Sequence, residues 1–171
     1  LNCIAQSIFI PKEFQDAYDT GTRSPDGKPG YYYWQNRSEY DIDADVIPDS
    51  SLLRGREKII YYNNSPDTLK RLVMRLYQNI NRPGNPRDYF YDEKDMNKGM
   101  VITSLKINGK EYSVSDKDIE DTGTNLIIKK LKILPGRKTE ISVSWEFIFP
   151  KINLVRMGRY GNDVFFCAYW Y

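Results

Sequence analysis

Between Tyr40 and Val46 the chain alternates strictly. Tyr40, Ile42, Ala44 and Val46 fall on one side, and Asp41, Asp43 and Asp45 on the other. A period of two is that of a half-buried strand. Pro48-Asp49-Ser50 turns the chain, and a second strand follows in which Leu53, Gly55, Glu57, Ile59 and Tyr61 share one face. It ends at the turn residues Asn63-Asn64-Ser65-Pro66-Asp67. Leu69, Leu72, Val73, Leu76, Tyr77 and Ile80 fit helical spacing, while Leu72, Met74 and Leu76 fit a strand equally well. Pro83, Gly84 and Pro86 break regular structure over residues 81–98. Val101, Thr103, Leu105 and Ile107 then alternate into Asn108-Gly109, a hairpin turn, with a return strand from Glu111 to Val114. Short strands are expected over Thr124 to Ile128 and Lys130 to Leu134. The clearest alternation is Ile141, Val143, Trp145, Phe147 and Phe149, set against Ser142, Ser144 and Glu146. Gly158 and Gly161 mark a loop before a last strand from Val164.

About seven or eight short, mostly antiparallel strands with frequent turns predict an all-β fold, a β-sandwich or open barrel. Residues 1–30 read instead as an extended leader, because Thr20 to Gly30 is dense in Gly, Pro, Ser and Asp. The β domain is expected over residues 31–171.

Composition narrows the chemistry. With 25 Lys and Arg against 23 Asp and Glu among 171 residues, the net charge is +2, which gives no electrostatic reason to expect a nucleic-acid partner. The sequence has no histidine, which removes Ser-His-Asp and Cys-His nucleophiles and histidine zinc sites. Cys3 and Cys167 cannot complete a thiolate site. No catalytic or metal-ligating residue is therefore assigned, and no cofactor is expected in this chain. No stretch approaches the ~20 apolar residues of a membrane span.

Asp41-x-Asp43-x-Asp45 resembles the opening of a calcium loop, but Val46 stands where Gly is needed and Leu52 where Glu is needed. The alternation itself makes these three a solvated strand face. Glu57, Glu111 and Glu146 lie in expected strands, and nothing in the sequence singles out a catalytic pair. The aromatic clusters Tyr31-Tyr32-Tyr33-Trp34, Tyr89-Phe90-Tyr91 and Tyr169-Trp170-Tyr171 are read chiefly as core or domain-interface packing. Cys167, in an apolar strand, reads as a small core hydrophobe. The chain starts at Leu1 and stops within the apolar run Val164 to Tyr171, so a piece of a longer protein is expected.

Three segments together, Gly21–Ile42, Leu53–Ile80 and Arg156–Tyr171, resemble the amino-terminal domain of aminopeptidase N-like (gluzincin) zinc metallopeptidases of bacterial type. The likeness is carried by Gly-Lys-Pro-Gly with Tyr-Trp-Gln-Asn-Arg, by Tyr-Asp-Ile, by Leu-x-Gly-x-Glu-x-Ile-x-Tyr-x-Asn-x-Ser-Pro-Asp-Thr-Leu, and by the terminal Trp-Tyr pair. The resemblance implies a saddle-like β-sandwich beside a thermolysin-like domain that carries H-E-x-x-H and the zinc. That domain is expected after residue 171, as a partner in cis, with peptide as the substrate of the parent enzyme. The chain alone is then not an enzyme. It would pack on the catalytic domain and shape access to its peptide-binding cleft, with Tyr169, Trp170 and Tyr171 at the domain interface or cleft wall. The family commonly places a glutamine near the substrate's first residue; Tyr169 stands nearest to it here, so that amine-binding role is not carried over. The resemblance also makes Lys70–Gln78 a strand. An exported location, periplasmic or at the cell envelope, is expected. The competing reading is a carbohydrate-binding or adhesive β-sandwich using exposed aromatics, which would show a flat row of solvent-facing rings.

Overall fold

The protein is described by a computed structural model over residues 9–87, 89–152 and 156–168, and it divides into two compact units, Leu1–Asn36 and Arg37–Tyr171. In the first unit, residues Lys12–Asp19 form a helix, α1, where an extended leader was expected. The reason is local. Pro11 precedes a run free of β-branched residues, Glu13 sits in the first turn, and Gly21 follows with φ +67°. The Gly- and Pro-rich stretch after it is a loop, as expected, folded back so that the Tyr32 N–H donates to Gly21 O at 3.0 Å.

The second unit contains β1 (Arg37–Ile47), β2 (Leu52–Asn63), β3 (Leu72–Arg75), β4 (Val101–Ile107), β5 (Lys110–Tyr112), β6 (Ile119–Asp121), β7 (Asn125–Ile128), β8 (Arg137–Ile148), β9 (Met157–Tyr160) and β10 (Val164–Cys167). All their pairings are antiparallel. The fold class is all-β, as expected, with ten strands among the described residues where the sequence pattern separates about seven or eight. A five-stranded sheet runs β1-β2-β8-β4-β5, a three-stranded sheet runs β3-β7-β6, and β9 and β10 form a hairpin. Buried residues of the two larger sheets join in one core cluster, including Leu105, Leu126, Ile128, Val143, Trp145 and Phe147.

Several expectations change. Residues 69–80 divide into the strand β3 and a 3₁₀ turn at Tyr77–Asn81, so the strand implied by the resemblance holds for Leu72–Arg75 only. Lys130 to Leu134 form no strand; Lys130 takes φ +56°, and the segment keeps a single bridge, Leu69 with Ile133. β9 occupies the expected loop at Gly158 because it pairs with β10 over Met157–Tyr160. β1 is not half-buried in the way its alternation suggests. It is an end strand, and Tyr40, Ala44 and Val46 stay exposed on the face that should enter the core.

The centre of the large sheet follows the pattern closely. β2 and β8 pair over twelve residues, Leu52 with Ile148 through Asn63 with Arg137. Ile141, Val143, Trp145, Phe147 and Phe149 are all buried. Gly55 stands opposite Trp145, and a Cβ added there would lie 2.8 Å from the indole Cε2. Only a residue without a side chain lets that ring cross the strand.

Trp145→Ala should lower stability by about 3–5 kcal/mol, the range for emptying a buried aromatic site. Gly55→Ala should cost about 1–3 kcal/mol by overpacking, and less in a Trp145→Phe background, because the two sites share one contact. Urea denaturation of the wild type, Trp145→Ala, and the Gly55→Ala and Trp145→Phe single and double variants measures both. A Trp145→Ala loss below about 1 kcal/mol, the range of surface changes, would show the register to be wrong.

Candidate functional site

Strand β2 points Leu53, Gly55, Glu57 and Ile59 into the core and Arg54, Arg56 and Lys58 outward. Glu57 is thus a carboxylic acid on the apolar face, flanked across the sheet by Ile42 on β1 and Val143 on β8. It is only 8% exposed, and its Oε2 is buried with no hydrogen-bond partner among the described residues. A cleft of about 290 Å³ lies between this face and β3, lined by Glu57 with Tyr40, Met74, Met100, Ile102 and Trp145 among others. Burial pushes the Glu57 carboxyl above the ordinary glutamate range, since desolvation disfavours the charged form.

Thr139 Oγ1 on β8 is also buried without a hydrogen-bond partner among the described residues, but several larger buried polar side chains are satisfied. The Asp95 carboxylate accepts N–H bonds from Lys151 at 2.9 Å and Ile152 at 2.7 Å. Asn79 donates to Gly123 O at 2.5 Å and accepts from the Met100 N–H at 2.8 Å. Asn63 donates to Asp67 O and Ile133 O. These groups pin loops to the sandwich, as buried polar groups with complete partners do.

The remaining candidates separate. Asp41, Asp43 and Asp45 lie on the outer face, a solvated surface as expected, where Asp43 also accepts from Arg56. Glu146 points to that same outer face and pairs with Arg54 at 3.3 Å, and Glu111 is exposed on β5. The three strand glutamates therefore form no catalytic pair. Tyr31, Tyr32, Tyr33 and Trp34 are exposed rather than packed, Tyr31 at 92%. The rings of Tyr31 and Tyr32 stand at 86°, edge to face, not as a flat row. In the second cluster Tyr89 and Phe90 are exposed and Tyr91 is buried. Four consecutive aromatics in a loop, as at Tyr31–Trp34, cannot all reach one core.

On β10, Phe165 and Cys167 pack against the core cluster, while Val164 and Phe166 face outward, 60% and 52% exposed. The strand is thus covered on one face and bare on the other. Tyr169, Trp170 and Tyr171 lie outside the described residues, as does Cys3. Burial pushes the Cys167 thiol up to about 12, which fits a small core hydrophobe and an unreactive thiol. Among the described residues no three His, Cys, Asp or Glu side chains gather to hold a metal, and no helix is long and apolar enough to cross a membrane.

Glu57 was visible in the sequence only as one of three glutamates. The signal that marks it is a charge at an inward position of a strand whose neighbours on that face are Leu53, Gly55 and Ile59, a conflict between residue and environment of the kind that collects at functional sites.

The raised pKa fixes a sign. The folded protein holds the Glu57 proton more tightly than the unfolded chain, so its contribution to stability is present below the unfolded pKa and lost as pH rises through the folded one. Glu57→Gln keeps the shape without the charge. The variant should match the wild type near about pH 4 and be the more stable near about pH 8, as followed by thermal denaturation. A gap that widens toward acid would contradict the assignment. Cys167 should resist iodoacetamide in the folded protein near about pH 8 and react after denaturation, as followed by mass spectrometry.

No protein-family model matches the sequence, and a search of curated proteins returns no match. Among solved structures the chain is similar to an M1 zinc metallopeptidase from Deinococcus radiodurans, determined as a mutant bound to a Tyr-Ser-Ala substrate. The identity is 14% and the TM-score 0.45, over 77% of this chain and 25% of that one. The chain spans about a quarter of that protein's length.

Proposed function

We propose that this chain is a non-catalytic amino-terminal domain of an aminopeptidase N-like zinc metallopeptidase, packing on the catalytic domain and narrowing access to its peptide cleft. The observation that carries the reading is the β9–β10 hairpin. It lies in the segment Arg156–Tyr171 that resembles the family, it seats one face on the sandwich, and it leaves Val164 and Phe166 bare on the other. An apolar strand face of this kind suits a covering neighbour. Tyr169, Trp170 and Tyr171 follow in the chain and would extend that contact into the cleft wall.

The residues of this chain do not fit zinc. The sequence contains no histidine, and its oxygen donors favour harder cations. In this reading the metal belongs to the neighbouring domain, and this chain contributes shape, not a reacting group. The carbohydrate-binding alternative draws on the exposed Tyr31–Trp34 cluster, but the perpendicular Tyr31 and Tyr32 rings do not offer the flat platform a sugar face needs.

The sequence encoded after Tyr171 should contain an H-E-x-x-H helix with a later glutamate, and an unrelated downstream domain would overturn the proposal. The isolated chain should keep no stoichiometric zinc after dialysis and should not hydrolyse an aminoacyl reporter.

A further inference from the structure

Every residue lining the Glu57 cleft belongs to the unit Arg37–Tyr171, so the cleft walls are complete within that unit. We propose that it binds a small organic ammonium ion with an apolar body. The ammonium N–H groups would donate to the Glu57 carboxylate, and the hydrocarbon part would lie against Met74, Met100, Ile102 and Trp145.

The chemistry of the walls selects this class. A buried carboxylate needs a charged, hydrogen-bonding partner, and the described residues supply none to Glu57 Oε2. Arg54, Arg56 and Lys58 lie on the opposite face of the sheet, paired with Glu146, Asp43 and Glu140. Arg75 lines the cleft but is engaged elsewhere, donating to Asn125 Oδ1 at 3.4 Å with its guanidinium 5.8 Å from the Tyr77 ring centroid. Anions are repelled by Glu57. A divalent metal ion would find one carboxylate where it needs about six oxygen ligands. An organic cation needs one carboxylate, plus the polarizable sulfur and aromatic surface that Met74, Met100 and Trp145 provide.

The cleft is also built to keep its shape. Glu57 sits in β2, paired on both edges, and two residues away the Trp145 indole rests on Gly55. At about 290 Å³ the space is near the lower end of small-molecule sites, which sets the ligand to the size of an arylalkylamine rather than a peptide.

Calorimetric titration with phenethylammonium chloride, beside its uncharged analogue 2-phenylethanol, tests this on the folded chain near about pH 7. The amine should bind with one site per chain and about tenfold or more tighter than the alcohol, the range for a charge-assisted hydrogen bond. Glu57→Gln should remove that preference, with circular dichroism confirming that it stays folded. Met74→Trp, which fills the cleft, should abolish binding of both. Equal binding of amine and alcohol to the wild type, a preference that survives Glu57→Gln, amine binding that survives Met74→Trp, or no amine binding at all would each overturn the proposal.

Discussion

The Trp145 indole lies against the backbone of Gly55, and much of the second unit is arranged around that contact. It locks the β2–β8 register, because shifting either strand by one residue would drive the ring into a side chain and turn every core residue of β8 outward. From Trp145 a row of rings leads along the core. Trp145 stacks on Phe147 at 5.9 Å, Phe147 meets Phe149 at 5.4 Å, and Phe149 meets Phe165 on β10 at 5.2 Å. The position of the terminal hairpin is thus tied, ring by ring, to the middle of the large sheet.

The two faces of that sheet divide the charges. Outward, Arg54, Arg56 and Lys58 find Glu146, Asp43 and Glu140 across neighbouring strands. Exposed pairs of this kind add little to stability individually, but they keep the outer side wet and so fix which side becomes the core. Glu57 breaks the division. Its cost is desolvation without compensation inside the chain, and such a cost points to a compensation from outside it.

The end strands explain where the chain is open. β1 has a neighbour on one side only, and its inward-facing Tyr40, Ala44 and Val46 reach beyond the cover of the second sheet. β3 is likewise an end strand, and the Glu57 cleft is lined from both. The bare face of β10, with Val164 and Phe166 exposed, is of different character, apolar and without a charge among its described residues. The covering domain and the small cation that we propose would accordingly meet different surfaces.

Strand periodicity alone determined the in-and-out assignment of β2 and β8, the Asn108-Gly109 hairpin and the solvated face of Asp41, Asp43 and Asp45, because side-chain alternation is local geometry. The helix over Lys12–Asp19 was also written locally, in Pro11 and Gly21, but the loop-rich stretch beside it masked the signal. Other features were not local. Whether Leu72–Arg75 pairs as a strand depends on β7, whether Met157–Tyr160 is strand or loop depends on β10, and the exposure of β1 depends on where the second sheet stops. The sequence placed Glu57 on an apolar face; only the tertiary structure decided that β3 stands across from it as a cleft wall and that Arg54, Arg56, Lys58 and Arg75 are turned away or engaged. A periodic pattern reports which face a residue occupies, while the depth of its burial and its choice of partner are set by chain segments far away in sequence.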